Sequence, residues 1–385
     1  MSTAADWDRA TAGRDAPFAI VDLEAFDANA ADLRRRAAGR MIRVASKSVR
    51  VRGLLERVLA QPGFSGVMSY SLPEALWLVG EGLEDVFVAY PTSHREALAR
   101  LAADEHALEQ VSIAIDSTEH VEALTSWLPK GAPVRVVIDV DASLRVGPAH
   151  LGVRRSPTRS PRRAAAVARE ARRAGLRVVG LMFYDAQIAG LPDTSAAVRM
   201  VKSRSDAALR RRRPRVRAAV EEVVGPLQIV NGGGTGSVDL TGADPTLTEV
   251  AAGSGLIGPT LFDGYDGFSP RPAVAWAAPV VRRPARDVVT VFSSGYIASG
   301  PPGASRVPSV HAPQGLRLSG AEGAGEVQTP LRGRAARDLA MGDRVWFRHA
   351  KAGEPAERFD AYLALRGDEV VDVLPTYRGE GKNFG

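Results

Sequence analysis

Residues 227–237 read Leu227-Gln228-Ile229-Val230-Asn231-Gly232-Gly233-Gly234-Thr235-Gly236-Ser237. A short apolar run that ends in consecutive glycines is typical of a buried strand that leads into a turn and a helix. Successive glycine N–H groups are able to converge on an anion, and the threonine and serine hydroxyls add donors. The stretch lacks the Lys-Ser/Thr ending of a nucleotide P-loop. It therefore indicates a bound phosphate, with a purely structural turn as the alternative.

A short apolar run followed by a helical pattern occurs eight times before residue 255. The runs are Ile42–Lys47, Gly66–Ser71, Asp85–Tyr90, Val111–Asp116, Val134–Asp141, Val178–Tyr184, Leu227–Gly232 and Leu247–Ser254. Most of them are continuous rather than alternating, which is expected for strands buried on both faces. Eight such repeats match a (β/α)₈ barrel, whereas an open doubly wound sheet rarely needs eight evenly spaced strands. We therefore predict an α/β fold built on a (β/α)₈ barrel.

The pattern of the sequence changes after about residue 264, where prolines separate shorter runs. Val288–Phe292, Asp343–Arg348 and Glu369–Leu374 read as strands of a second domain. We predict a barrel over residues 1–264 and a C-terminal β-rich domain over residues 265–385. Residues before about 17 are expected to pack on the β-rich domain.

The composition excludes several classes of protein. The chain has 385 residues, of which 45% are hydrophobic and 24% charged, as in an ordinary globular protein. The absence of cysteine excludes a disulfide scaffold, a thiolate zinc site and a cysteine nucleophile. No apolar run reaches the length of a membrane-spanning helix, and the first residues lack the features of a signal peptide. We expect a cytoplasmic protein that does not bind membranes.

The net charge of +6 comes from one segment. Between Arg154 and Arg217 there are 18 arginines and lysines against four acidic residues. Runs of charge usually face solvent, so we interpret this segment as a solvated helix face rather than a nucleic-acid site. Pro214 interrupts the connection Gly190–Gly225, which is expected to form two helices or a helix and a loop.

Candidate chemistry lies at the carboxyl ends of the predicted strands, where barrels build their active sites. Lys47 ends the first run, and a desolvated lysine amine attacks carbonyls, although a lysine that extends to solvent is the alternative. Arg145 follows the fifth run and either binds an anionic oxygen or pairs with an aspartate of its own strand. Tyr184 ends the sixth run as a proton donor, a stacking partner for a ring, or an ordinary half-buried tyrosine. Gly253 and Ser254 end the eighth run and add donors for the same phosphate.

Together, these strand ends describe a cofactor that carries one carbonyl and one phosphate. Lys47 would bind the carbonyl. A phosphate cradle would be built from Asn231, Gly233, Gly234, Thr235, Gly253 and Ser254. This combination fits pyridoxal 5′-phosphate (PLP).

Several motifs resemble the alanine-racemase-like, or fold type III, PLP enzymes. The sequence looks most like their D-threonine aldolase and D-serine dehydratase branch, and like bacterial amino acid deaminase/aldolase sequences in particular. The motifs that carry the resemblance are Pro17–Asn29, Val44–Ser48, Asn231–Ser237, Thr248–Ser254 and Gly342–His349. The resemblance implies a barrel followed by a β domain, which agrees with the prediction from the runs.

The resemblance also implies roles for individual residues. Lys47 would bind the cofactor covalently, and Arg145 would approach its phenolic oxygen. Tyr184 and Gln187 would lie in the active site and contact the cofactor.

A divalent metal is a further implication, because this branch binds one through a late histidine and a Cys or Asp two residues on. Here the pair is His349 and Lys351. A protonated lysine has no lone pair for a metal, so a metal at His349 would lack its usual second ligand. His349 is instead a candidate acid or base for the substrate's β-hydroxyl group, with a structural histidine as the alternative.

The function implied by the resemblance is that of a PLP-dependent lyase acting on D-β-hydroxy amino acids. It would act by retro-aldol cleavage to glycine and an aldehyde, or by dehydration and deamination to a 2-oxo acid. An amino acid racemase and a non-catalytic PLP-binding regulatory protein remain open alternatives. The expected partners are a small amino acid substrate and a second copy of the chain in a homodimer.

Overall fold

The computed structural model describes residues 3–301 and 303–385. Its strands in chain order are β1 (Phe18–Asp22), β2 (Met41–Ala45), β3 (Phe64–Ser69), β4 (Val86–Val88), β5 (Val111–Ile115), β6 (Arg135–Asp139), β7 (Leu144–Val146), β8 (Ala149–Leu151), β9 (Arg177–Phe183), β10 (Ile229–Gly232), β11 (Glu249–Ala252), β12 (Val274–Ala285), β13 (Val288–Phe292), β14 (Ser309–Ala312), β15 (Arg317–Leu318), β16 (Gln328–Arg332), β17 (Arg344–Arg348), β18 (Ala361–Arg366) and β19 (Glu369–Pro375).

The α-helices are α1 (Ala4–Ala10), α2 (Leu23–Arg36), α3 (Arg52–Leu59), α4 (Leu72–Gly80), α5 (Arg95–Ala103), α6 (Glu105–Gln110), α7 (Thr118–Trp127), α8 (Pro161–Arg173), α9 (Ala186–Ala189), α10 (Ala196–Val224), α11 (Val238–Gly242) and α12 (Ser254–Ile257). Short 3₁₀ turns cover Ser46–Ser48, Thr235–Ser237, Thr260–Gly264, Ala304–Arg306, Arg334–Asp338 and Glu354–Glu357. Serine side chains cap α4, α7, α8 and α10 by accepting a backbone N–H of the first turn.

A closed parallel barrel confirms the predicted fold. In the described part of the chain its strands follow the order β10-β11-β2-β3-β4-β5-β6-β9. These are the eight predicted runs, each shortened by one to four residues or shifted by one or two residues at its ends. The interior is filled by apolar side chains from neighbouring strands, among them Phe87, Val137, Val179, Met182 and Ile229. Because these strands are buried on both faces, their sequences are continuous rather than alternating.

An antiparallel-rich sheet forms the second structural element. In residues 3–301 and 303–385 it has nine strands, with the path β15-β16-β13-β12-β1-β18-β19 and with β14 and β17 attached. The N-terminal strand β1 belongs to this sheet, where it pairs with β12 and β18. Trp7 of α1 packs on the sheet, with its ring 5.3 Å from that of Trp346.

The chain divides into two compact units. One contains the described residues up to Asp32, Lys47–Leu55 and Ser254–Asn383, and it carries the nine-stranded sheet. The other contains Leu33–Ser46, Glu56–Gly253 and Phe384–Gly385, and it carries the barrel. The units therefore alternate along the chain, whereas the sequence analysis drew a single boundary after residue 264.

Helix α10 decides one expectation and corrects another. Of the two alternatives for residues 190–225, a helix and a loop is the one observed: residues 190–195 form the loop, and one 29-residue helix then runs through Pro214 without a break. An internal proline costs a helix about 3 kcal/mol, but the apolar face Leu209, Val216 and Val220 is buried, and this burial offsets the cost. The arginine run is not simply a solvated face either, because Arg213 is fully buried. No helix of the described residues is long and apolar enough to cross a membrane.

Candidate active site

The predicted barrel residues lie at the carboxyl ends of their strands. Lys47 lies in the 3₁₀ turn that directly follows β2, and its side chain is exposed. Tyr184 directly follows β9, Asn231 lies in β10, and Gly253 directly follows β11. In barrels of this type this end of the strands carries the chemistry.

The glycine loop after β10 has no room for side chains. Gly233 has a φ of +82°, and a Cβ there would lie 2.6 Å from Thr241 Oγ1. A Cβ on Gly234 would lie 3.0 Å from Ala189 and 3.7 Å from a ring carbon of Tyr184. The loop and Tyr184 are therefore neighbours. A backbone held this closely, with no Cβ to block approach, fits the binding of a compact anion such as a phosphate group.

Hydrogen bonds fix the shape of this loop. The N–H of Gly234 donates to Ser237 Oγ at 3.1 Å, and the N–H of Ser237 donates to the Gly234 carbonyl at 2.8 Å. The carbonyl of Thr235 accepts from Arg36 Nη2 at 2.9 Å. Thr235 and Ser237 are both buried. The predicted phosphate loop is thus ordered by contacts within the barrel unit.

The Asn231 side chain takes part in a buried ionic network. Its Nδ2 donates to Glu249 Oε1 at 2.8 Å. Glu249 accepts two hydrogen bonds from Arg43, at 2.6 and 2.8 Å. Arg43 also donates to Asp85 at 2.7 Å. The amide group of Asn231 is therefore held in the barrel, and its predicted contact with a cofactor remains a prediction.

Arg145 lies on the hairpin β7–β8 and pairs with Asp141. Its Nη2 donates to Asp141 Oδ2 at 2.8 Å, and about half of its side chain is exposed. Arg159 donates to the same carboxylate oxygen at 3.3 Å. Burial alone would raise the pKa of Asp141. Hydrogen bonds from Ser143 and Arg145 together lower it by more than burial raises it, so the net shift is downward. The ion pair that the sequence analysis left as an alternative is present.

Arg155 is a candidate site residue that the sequence did not indicate. Its guanidinium carbon lies 5.0 Å from the ring centre of Tyr184 and 5.6 Å from that of Tyr90. Both distances are within the range of cation–π contacts. Arg155 therefore brings positive charge to Tyr184. The segment contains eighteen basic residues, and the sequence gives no reason to choose Arg155 among them.

Asp139, at the end of β6, is a second residue that was not singled out. It is almost fully buried. Burial raises its pKa to about 7, the charge of Asp116 adds to this effect, and Arg155 opposes it. A carboxyl group that exchanges a proton near neutral pH is a candidate for proton transfer.

Gln187 supports the start of the β7–β8 hairpin. Its Nε2 donates to the carbonyl of Ala142 at 2.8 Å, and the residue is buried. Its Oε1 is buried without a hydrogen bond to any described residue. The predicted contact between Gln187 and a cofactor remains a prediction.

The segment that contains His349 packs against Lys47. A Cβ on Gly353 would collide with the carbonyl oxygen of Lys47. The pKa of Lys351 is lowered by burial and, to a smaller extent, by the positive charges of Arg306 and Lys47. The structure thus brings together two motifs that are about 300 positions apart in the sequence.

His349 is buried and electrically neutral at pH 7. Its Nδ1 contacts the carbonyl oxygen of Lys351. Burial lowers the pKa of His349 to about 4, and the contact with Lys351 opposes this shift only in part. Among residues 3–301 and 303–385, no group of three or more His, Asp or Glu side chains is arranged to hold a metal ion.

Comparisons with known proteins support the resemblance seen in the sequence. Residues 21–260 match the family model described as "Alanine racemase, N-terminal domain". A D-threonine aldolase of Arthrobacter sp. is 26% identical over 304 residues, which cover 75% of this chain and 74% of that protein.

Solved structures with the same fold agree. The D-threonine aldolase of Filomicrobium marinum has a TM-score of 0.78 at 21% identity, covering 95% of both chains. The D-threo-3-hydroxyaspartate dehydratase of Delftia sp. HT23 has a TM-score of 0.74 at 19% identity, covering 94% of this chain and 98% of the other. The predicted family and its fold are therefore confirmed.

Proposed function

The chain belongs to the alanine racemase N-terminal domain family, and we propose that it is a PLP-dependent lyase acting on D-β-hydroxy amino acids. The observation that carries this proposal is the packing of the His349 segment against Lys47 at Gly353, with Lys351 near enough for the charge of Lys47 to lower its pKa. A lysine that binds an aldehyde and a histidine that accepts a proton from a hydroxyl group are the two protein groups that such a lyase needs. The D-threonine aldolase relative supports the same reaction class.

The cofactor would be held by residues that fit it. Lys47 would bind its carbonyl, and the loop Gly232–Ser237 would bind its phosphate. When bound, PLP withdraws electrons and stabilises negative charge at the substrate's Cα. The steric closeness of the loop, in which a Cβ on Gly233 would collide with Thr241, supports the second assignment.

Other groups of the protein would bind the substrate and transfer its protons. Arg155 would attract the substrate's carboxylate towards Tyr184, because it is a cation beside that ring. His349, being neutral, has a ring nitrogen that is able to accept the β-hydroxyl proton, and loss of this proton favours cleavage of the Cα–Cβ bond. If Lys47 instead moves a proton from Cα, loss of the hydroxyl group leads to a 2-oxo acid. We propose cleavage or dehydration ahead of racemisation, because racemisation does not use the β-hydroxyl group.

The test combines cofactor binding with product analysis. The purified protein should bind PLP with a visible absorbance band that Lys47→Ala abolishes. The exposed Lys130 supplies the control, because Lys130→Ala should leave the band unchanged. D-Threonine should yield glycine and acetaldehyde, or D-serine should yield pyruvate and ammonia.

Other outcomes decide between the alternatives. PLP binding without product from either substrate would favour a regulatory protein, and interconversion of D- and L-alanine would favour a racemase. A wild-type protein that does not bind PLP would contradict the proposal.

We further propose that the chain forms a homodimer, as the resemblance implies. Light scattering coupled to gel filtration would measure the molar mass in solution and test this proposal.

A further inference from the structure

The arginine-rich part of α10 buries one guanidinium group completely. Arg213 is 0% exposed, whereas its neighbour Arg211 is exposed. Arg213 Nη1 donates to Asp244 Oδ2 at 3.0 Å, and its Nη2 donates to Asp185 Oδ2 at 3.2 Å. Both carboxylates are 1% exposed. One buried cation therefore bridges two buried anions.

The bridge continues to the glycine loop. The other oxygen of Asp185 accepts a hydrogen bond from Ser237 Oγ at 2.9 Å. Ser237 Oγ in turn accepts the N–H of Gly234 at 3.1 Å. A continuous line of contacts thus runs from Arg213 through Asp185 and Ser237 to the backbone of Gly234. The loop's hydrogen bonds are thus linked to a side chain on α10.

Stability alone does not explain why three charged side chains are buried together here. Removing charged groups from water is unfavourable, and a buried ion pair often stabilises a protein no more than apolar side chains would. Burial raises the pKa of Asp185, and Arg213, Ser237 and a backbone hydrogen bond of Asp185 oppose this effect in part. Without Arg213 the carboxyl group would tend to take up a proton, and its hydrogen bond with Ser237 would change.

We propose that Arg213 is a positioning residue, which acts through Asp185 and Ser237 to hold the Gly232–Ser237 loop in the form that binds the phosphate group of PLP. This inference rests on the proposed function. It gives the arginine run of the sequence a role that is neither solvation nor nucleic-acid binding. Because Asp185 directly follows Tyr184, the same contacts also fix the start of the connection beside that ring.

A comparison of PLP with pyridoxal, which lacks the phosphate, tests the proposal. Arg213→Met should raise the dissociation constant of PLP at least tenfold in the cofactor-free protein, while that of pyridoxal changes less than twofold. Lys202→Met is the matched control. Lys202 is on the same helix and is buried in an ion pair with Asp193 at 2.6 Å, a pair outside the line from Arg213 to Gly234. This variant should lower the melting temperature but leave both dissociation constants unchanged.

Hydrogen exchange supplies a readout that needs no cofactor. Amides of residues 231–240 should exchange faster in Arg213→Met than in Lys202→Met. If Arg213→Met fails to fold, Ser237→Ala breaks the same line of contacts but leaves the ion pairs of Arg213 with Asp185 and Asp244 intact. It should show the same selective loss of PLP affinity.

The outcomes separate this inference from the proposed function. A wild type that binds no PLP contradicts the proposed function. A wild type that binds PLP more tightly than pyridoxal supports it, and unchanged PLP affinity in both Arg213→Met and Ser237→Ala would then overturn only the positioning role. Equal loss of PLP and pyridoxal affinity would also overturn it, since general destabilisation has no preference for the phosphate.

Discussion

The guanidinium carbon of Arg155 lies 5.0 Å from the ring centre of Tyr184, at the carboxyl end of barrel strand β9. By contrast, Arg145, which the resemblance assigns to the cofactor, donates to Asp141 on its own connection. An arginine that is paired with a carboxylate has less capacity to attract another anion. The relationship between Arg155 and Tyr184 therefore makes Arg155 the stronger candidate for binding an anionic group.

Replacing Arg155 should impair turnover more than replacing Arg145 does. Arg155→Met removes a charge-assisted contact, so kcat/KM should fall about ten- to a hundredfold, which corresponds to roughly 1.4–2.7 kcal/mol. Arg154→Met is the control, since Arg154 is an exposed neighbour, and it should change kcat/KM less than about twofold. Steady-state kinetics on the best substrate measures all three. A larger effect from Arg145→Met would return the anion-binding role to Arg145.

Asp139 should make the protein less stable as the pH rises. Its pKa in the folded state is about 7, above the ordinary value of 3.8. The protonated form is thus favoured by folding, and its contribution to stability is complete below pH 3.8 and lost as the pH rises through 7. The shift corresponds to about 4 kcal/mol. Asp139→Asn carries no charge, so the difference in unfolding free energy between variant and wild type should grow in favour of the variant from pH 5 to pH 8.

Urea unfolding at several pH values measures this trend. The pKa of His120 is raised because its protonated ring donates a hydrogen bond to the Asp116 carboxylate, so His120 titrates in part of the same range. The measurement should therefore be repeated in a His120→Gln background. If the stability difference between Asp139→Asn and the wild type does not vary with pH, the buried carboxyl group does not titrate near neutrality.

Much of the barrel was predictable because a strand buried on both faces must be apolar throughout. The glycine loop and Lys47 were also predictable, since each follows such a strand directly in the sequence. Arg155 and Arg213 were not, because their partners Tyr184, Asp185 and Asp244 lie at distant positions and meet them only after folding. The break expected at Pro214 is absent for a similar reason, because tertiary packing of α10 outweighs a local helix-breaking preference.

His349 should make the protein less stable in weak acid. Burial lowers its pKa to about 4, below the ordinary value of 6.5. The neutral form is favoured by folding, so its contribution is present above pH 6.5 and is lost as the pH falls through 4. The shift corresponds to about 3 kcal/mol. His349→Gln cannot titrate, so the wild type should lose stability relative to this variant between pH 6.5 and pH 4.

Activity gives a second check on His349. The ring is already neutral at pH 6.5. The pH–rate profile of the wild type should therefore show no change near pH 6.5 that is absent from the profile of His349→Gln. If the activity of the wild type falls below pH 6.5 and this fall is absent in His349→Gln, the imidazole has a higher pKa than its burial implies.

Lys351 should determine whether a metal binds beside His349. His349 offers one ring nitrogen to a metal, because Nδ1 contacts the carbonyl of Lys351, and the ammonium group of Lys351 offers no lone pair. Wild-type turnover should therefore be insensitive to EDTA, and equilibrium dialysis against Mn²⁺ should show no bound metal. Lys351→Asp replaces a positive charge with a carboxylate ligand and should bind one Mn²⁺ per chain. Lys351→Gln is the control, because it removes the charge without supplying a carboxylate, and it should bind none. Loss of wild-type activity in EDTA, restored by a divalent metal, would mean that the chain binds a metal through other groups.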